Sequence, residues 1–200
     1  MSTTLDSIAQ ISDQSTILRS IKDEACSIAI WERQPLGWTG GLITDGTTDI
    51  RLNTPLSDLR VNVAQALPSS GFGNHASHRH LVDDIVDLAD IYCSTLGIEE
   101  LEVRLEVVTT DSCRKWHADY VKARLITTYS GDGPQWLDAG DADRVKQGGE
   151  PQRINQLRTG DVGIFKGKLA TAHPAIHRSP PIAGTGQTRL LLVLNHIDKN

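Results

Sequence analysis

WHADYVKARLITTY, residues 116–129, sets two ionisable side chains two positions apart at the head of an apolar, β-branched run. Val121 to Tyr129 is rich in Val, Ile, Leu and Thr and reads as a strand. On an extended backbone, side chains at i and i+2 share a face, so His117 and Asp119 converge on one point. Three other segments have the same character: Leu101 to Thr110, Asp161 to Lys166 and Thr188 to His196. Upstream, Ser27 to Arg33 reads as a short strand and the glycine-bearing stretch Gly37 to Gly46 as a loop. Thr54-Pro55 opens a predicted helix, with Thr as N-cap, that carries Leu56, Leu59 and Val63 and ends before Pro68. After a polar loop over His75 to His80, Leu81, Ile85, Leu88, Ala89, Tyr92 and Leu96 follow helical spacing up to Gly97. The charged stretch between Asp138 and Pro151 reads as a long, mobile loop. Helices followed by a run of strands predict an α+β domain whose sheet closes into a barrel or sandwich. The expected organisation is a flexible N-terminus over residues 1–14 and one domain over 15–200. Within it, 15–98 would be mostly helical support and 99–200 a β-barrel carrying the site.

A length of 200 residues is enough for one domain with a substantial core. A formal charge of -5 and a pI near 5.8, with no basic block, argue against a nucleic-acid or anionic-membrane binder. No apolar run reaches membrane-spanning length, and the N-terminal stretch lacks the basic-then-apolar order of a signal peptide. Cys26, Cys93 and Cys113 are odd in number and unrelated in spacing, which fits a reducing compartment, and a cytoplasmic location is expected.

His177 lies downstream of the strand Asp161–Lys166, where a neighbouring strand can deliver a third ligand to His117 and Asp119. Two histidines and one carboxylate form the facial triad of non-heme iron(II) oxygenases, which leaves positions open for a co-substrate and oxygen. Cys113, four residues before His117, is a possible further ligand that would suit zinc, against the blander reading of an unreactive buried thiol. Arg124 could anchor a carboxylate, although strand parity points it away from His117. Tyr129, Trp136 and Lys166 are candidate substrate-pocket residues, and Arg178 is read as part of a scaffold salt bridge. His75, His78 and His80 form a second cluster of open role.

Gly160-Asp161-Val162-Gly163-Ile164-Phe165, then His177, then Arg189 opening the last strand, resembles the order found in double-stranded β-helix oxygenases. That resemblance implies that Arg189 pairs with the far carboxylate of 2-oxoglutarate, a planar fork meeting a carboxylate. Cys113 to Leu137, Val162 to Gly167, His177 to Pro181 and Arg189 to Asn195 further resemble an uncharacterised bacterial family known as a domain of unknown function. Its pattern is C-x3-H-x-D, T-Y-x-G-x-G-x2-W-L, K-G and H-R-S-P-P. Where that family has Thr-Glu before the tryptophan, this chain has Pro134-Gln135, so any role of that acid is lost here. The resemblance implies a double-stranded β-helix, a jelly-roll or cupin-like barrel with N-terminal helices packed on it. It implies an iron(II)/2-oxoglutarate-dependent oxygenase with His117, Asp119 and His177 on Fe(II), acting on a small-molecule or protein substrate that the sequence does not identify. Two alternatives stay open: a non-catalytic zinc-binding accessory protein in metal homeostasis, and a cupin-like metalloenzyme that does not use 2-oxoglutarate.

Overall fold

Alternation along the strands sorts the side chains into two faces, and the whole architecture follows from what covers each. The computed structural model describes residues 8–197. In chain order the elements are β1 (Ala9–Ser12), β2 (Ile28–Trp31), β3 (Ile50–Pro55), α1 (Leu59–Ser69), α2 (His75–Leu96), β4 (Glu100–Val108), β5 (Ala123–Ser130), β6 (Gln135–Trp136), α3 (Ala139–Lys146), β7 (Asn155–Gln156), β8 (Val162–Lys166), β9 (His177–Arg178) and β10 (Arg189–His196). Short 3-10 helices cover Ser15–Lys22 and Leu56–Asp58.

Seven strands form one sheet in the order β1-β2-β8-β5-β10-β4-β3, and β7-β6-β9 form a second. Among the described residues only β1 and β2 run parallel; the other pairs are antiparallel. On one face of the large sheet, Leu101, Val103, Leu105, Leu125, Leu190, Leu192 and Leu194 meet Leu59, Val63, Leu81, Ile85 and Leu88 of α1 and α2. On the other face Ile28, Ile30, Ile126 and Phe165 pack against Trp136, which brings the small sheet over the β2-β8-β5 region. The result is a helical layer, a large sheet and a small sheet, a mixed α+β architecture.

Several expectations are corrected. The N-terminal flexible segment lies outside the described residues over 1–7, but Ala9–Ser12 is a strand paired to β2. The 15–98 half is not only support, because β2 and β3 belong to the same sheet as β4, β5, β8 and β10. Thr54-Pro55 ends β3 rather than capping a helix, since Pro55 occupies the edge strand, where no ladder donor is needed. Pro68 sits inside the last turn of α1, where its missing N–H forfeits only one helical bond. His75 to His80 forms the first turns of α2 rather than a loop, while Gly97, at φ 69°, ends that helix as expected. The Asp138–Pro151 stretch holds α3, capped by the Asp138 carboxylate accepting from Asp141 N–H.

Candidate metal centre

His117 and His177 are joined by reciprocal backbone hydrogen bonds, His117 N–H to the His177 carbonyl at 3.0 Å and the reverse at 2.9 Å. His177 in turn pairs with Trp136 across β6 and β9, so the small sheet holds it from the other side. The Asp119 segment reaches the same point by crossing the end of β8. There Gly167 is required: a Cβ on it would lie 2.1 Å from the Val121 carbonyl and 2.9 Å from that of Asp119. Ligand atoms of His117, Asp119 and His177 all fall within 4.8 Å of one another, the one such group among the described residues.

The proton inventory of this cluster calls for a cation. His117 Nδ1 lies 2.8 Å from the Lys115 carbonyl and His177 Nδ1 3.2 Å from that of Ala175. A carbonyl only accepts, so both Nδ1 atoms carry protons, which leaves each Nε2 to take a further proton or a metal ion. Those two Nε2 atoms face Asp119, at 3.8 Å from Oδ1 for His117 and 3.3 Å from Oδ2 for His177. Asp119 Oδ2 is buried and, among the described residues, has no hydrogen bond of acceptable geometry. Lone pairs pointed at a carboxylate repel unless a proton or metal ion lies between them. The donor set therefore fits a divalent metal.

Burial pushes the Asp119 carboxyl up, but the neighbouring His177, then Arg124 and His117, outweigh it and hold the group below the usual carboxylate range. Arg124 Nη1 donates to Asp119 Oδ1 at 2.7 Å. Its Nε donates to Asn195 Oδ1 at 2.7 Å, and Asn195 Nδ2 to Glu102 Oε2 at 2.6 Å. Arg124 thus orients the Asp119 carboxylate, despite the parity expected to aim it elsewhere, because the chain bends between Asp119 and Ala123.

A cavity of about 350 Å³ opens beside the triad, lined among others by Arg104, Glu106, Arg124, Ile126, His177, Arg178, Arg189 and Leu191. Arg189 is only 1% exposed. Its Nε donates to the Asp132 carbonyl at 2.6 Å, while Nη1 is buried without a partner among the described residues. Burial lowers its pKa to about 10, with Asp132 opposing weakly. Gly131, at φ 76°, brings this turn onto the arginine, since a Cβ there would lie 2.8 Å from Arg189 Cγ. Thr128 Oγ1 is another buried atom without a partner, on the strand position opposite Leu191 and hence on the same face.

Other sequence candidates fall elsewhere. Tyr129 is buried on the helical side, its hydroxyl donating to Asp84 Oδ2 at 2.7 Å and its ring 5.7 Å from that of Trp38. Trp136 packs between the sheets, and the Lys166 ammonium donates to the Asp23 carbonyl at 2.7 Å. None of the three lines the cavity. Cys113 is exposed at φ 56° on the cavity lip and stays outside the ligand group. His75 and His78 touch edge to face at 4.8 Å while His80 stacks on Trp38, so the three do not converge. Arg178 forms no salt bridge among the described residues; it stacks on Trp116 at 4.2 Å and its Nε donates to Gln135 Oε1 at 2.8 Å. Sequence reading missed Arg104 and Glu106, whose alternation in LEVRLEVV reads as a solvated strand face, and Asn195, which follows an apolar run.

The model of a family described as a protein of unknown function, DUF1826, matches residues 12–195. The chain belongs to this family. No curated protein matches it in sequence. Among solved structures it is similar to the Arabidopsis thaliana dioxygenase for auxin oxidation 1 in a binary complex with 2-oxoglutarate. The TM-score is 0.53 at 8% identity, over 96% of this chain and 92% of that one, so the two share a fold. A Pseudomonas putida prolyl-4-hydroxylase aligns with a TM-score of 0.43 at 10% identity, over 93% of this chain and 99% of that one. Among the described residues no helix is long and apolar enough to cross a membrane.

Proposed function

We propose that this chain is an iron(II)/2-oxoglutarate-dependent oxygenase on a double-stranded β-helix. His117, Asp119 and His177 would hold the metal, and Arg189 would bind the far carboxylate of 2-oxoglutarate. The observation that carries this reading is a pair of buried polar atoms beside one cavity, without a partner among the described residues: Asp119 Oδ2, 3.3 Å from His177 Nε2, and Arg189 Nη1. The first needs a cation and the second an anion. A divalent metal chelated by a dicarboxylic 2-oxo acid supplies both at once. The likeness in fold to a dioxygenase whose structure holds 2-oxoglutarate adds to this reading. When bound, iron with 2-oxoglutarate supplies the oxidising chemistry, and the protein's part is to orient and shield it. Arg124 fixes the carboxylate ligand, the Lys115 and Ala175 carbonyls fix the imidazole tautomers, and Phe165, 4.9 Å from the His177 ring, keeps that ligand dry.

The zinc accessory reading needs a closed set of four ligands, and Cys113 stands apart from the other three. The test is an anaerobic titration of iron(II)-loaded protein with 2-oxoglutarate, following the visible charge-transfer band of the chelate. Saturation near one equivalent, lost in Arg189→Ala, is the expected result. Absence of the band in protein that holds one equivalent of iron would overturn the proposal.

A further inference from the structure

Among the described residues, Arg178 beside the cavity has no counter-ion, and it takes no part in holding the metal or 2-oxoglutarate. Arg178 follows the ligand His177 directly and lines the same cavity. Trp116 supports one face of its guanidinium at 4.2 Å, and the neutral Gln135 amide takes its Nε–H. Both contacts fix the plane of the group without neutralising it. Among the described residues no carboxylate lies within ion-pair distance of it, and its two Nη groups donate to nothing. A planar, pre-oriented fork of this kind matches a carboxylate.

The charge balance of the cavity points the same way. Arg104, Arg124, Arg178 and Arg189 line it against Asp49 and Glu106, with Asp119 as the third carboxylate, so four positive charges less three negative leave one positive. A divalent metal with neutral histidine ligands raises that excess, and dianionic 2-oxoglutarate returns it to one. Arg124 is engaged by Asp119, Arg104 by Glu106 at 3.3 Å and Arg189 by the co-substrate, which leaves Arg178 as the lining arginine without an anionic partner among the described residues. A phosphate monoester, at about −1.5 to −2 charges, would overshoot this balance. A single carboxylate closes it.

We infer that Arg178, aligned by Trp116 and Gln135, is the recognition site for a carboxylate on the primary substrate, so that the substrate class is a small monocarboxylic acid. The inference rests on the oxygenase reading for its charge balance and on the Arg178 geometry for its location. Ligand-observed saturation-transfer NMR on zinc-loaded protein, saturated with 2-oxoglutarate, would compare butyrate with butyramide, which match in size and differ in charge. Wild-type protein should favour butyrate by about tenfold. Arg178→Gln should lose that preference, and Arg178→Lys should keep part of it, with one equivalent of zinc and an unchanged melting temperature as controls for folding. Equal binding or no binding of both probes by wild-type protein would overturn the inference. So would a preference retained in Arg178→Gln, because the carboxylate would then sit on the metal. Methyl phosphate binding more tightly than butyrate would overturn the carboxylate assignment. Failure of 2-oxoglutarate to saturate the wild-type protein sinks the oxygenase reading separately, and the two probes are then compared on the zinc form alone.

Discussion

The large sheet carries a buried arginine on each of its faces, and the two are treated in opposite ways. On the helical side Arg33 is 6% exposed and fully engaged: Nη1 pairs with Asp84 Oδ1 at 2.5 Å, Nη2 donates to Thr127 Oγ1 at 3.2 Å and Nε donates to the Gly160 carbonyl. Asp84 also takes the Tyr129 hydroxyl, so the network closes. On the cavity side Arg189 has one carbonyl and a bare Nη1, with Asp119 Oδ2 and Thr128 Oγ1 also unpartnered on that side. Arg33 follows β2 and Arg189 opens β10, while β5 serves both sides, with Thr127 and Tyr129 on the helical one and Thr128 on the other. A satisfied network serves the fold, and an unsatisfied one costs stability that only a ligand restores.

Substituting each arginine by methionine tests that contrast directly and gives the largest effects. Arg33→Met strands Asp84 in the interior and should cost about 3–5 kcal/mol in urea unfolding. Arg189→Met removes an uncompensated charge and should leave metal-free protein unchanged or more stable by about 1–3 kcal/mol, while abolishing 2-oxoglutarate binding. Equal losses from both would make Arg189 a scaffold residue and erase the distinction between the faces.

The next effect concerns the ligand Asp119, which the cavity side leaves partly bare. Arg124→Met removes the donor to Oδ1 while leaving the three ligand side chains in place. Iron(II) or zinc affinity should fall about 10–100-fold by competition with a chelating dye. An unchanged affinity would mean that the backbone bridge between His117 and His177 alone sets the site. A smaller effect is expected at Gly163, where the packing between sheets backs the centre. A Cβ there would lie 2.6 Å from Phe165 Cε2 and 3.0 Å from Leu157 Cδ2. Gly163→Ala should cost about 1–3 kcal/mol and weaken metal binding through the Phe165 ring that contacts His177.

The same contrast explains how much was legible in the sequence. Strands β4, β5, β8 and β10 and the body of α2 announce themselves because their apolar periodicity reports burial against the helical layer. The grouping of His117, Asp119 and His177 was legible because the i, i+2 rule on an extended backbone brings the first two together and the strand order delivers the third. The polar cavity face was not: Arg104 and Glu106 look in sequence like any solvated strand edge, since periodicity cannot tell bulk solvent from a polar cavity. The reverse error befell Tyr129, an aromatic near the motif that shares the helical face with Leu125 and donates to Asp84 instead. The first turns of α2 were hidden because helix propensity in HASHRH is weak, and Asn74 in the left-handed region, anchored to the Gly40 carbonyl at 2.6 Å, starts the helix through a tertiary contact.

The subtlest prediction separates charge from shape at Asp119. Its carboxyl is held below the ordinary range in the folded chain, burial being outweighed by His177, Arg124 and His117, whereas the unfolded chain leaves it near pH 4. A depressed folded pKa means the unfolded state binds more protons in that window. The stabilisation is therefore complete above about pH 4 and disappears as the pH falls through the lower, folded value. Urea unfolding of metal-free wild type and Asp119→Asn across the acid range should then give curves that converge as the pH drops, because Asn keeps the shape and has no charge to lose. Parallel curves would show that Arg124 and the histidines do not engage the carboxylate as a charge. The cavity side would then be unsatisfied in a second way, and the metal would have to hold Asp119 without help from its neighbours.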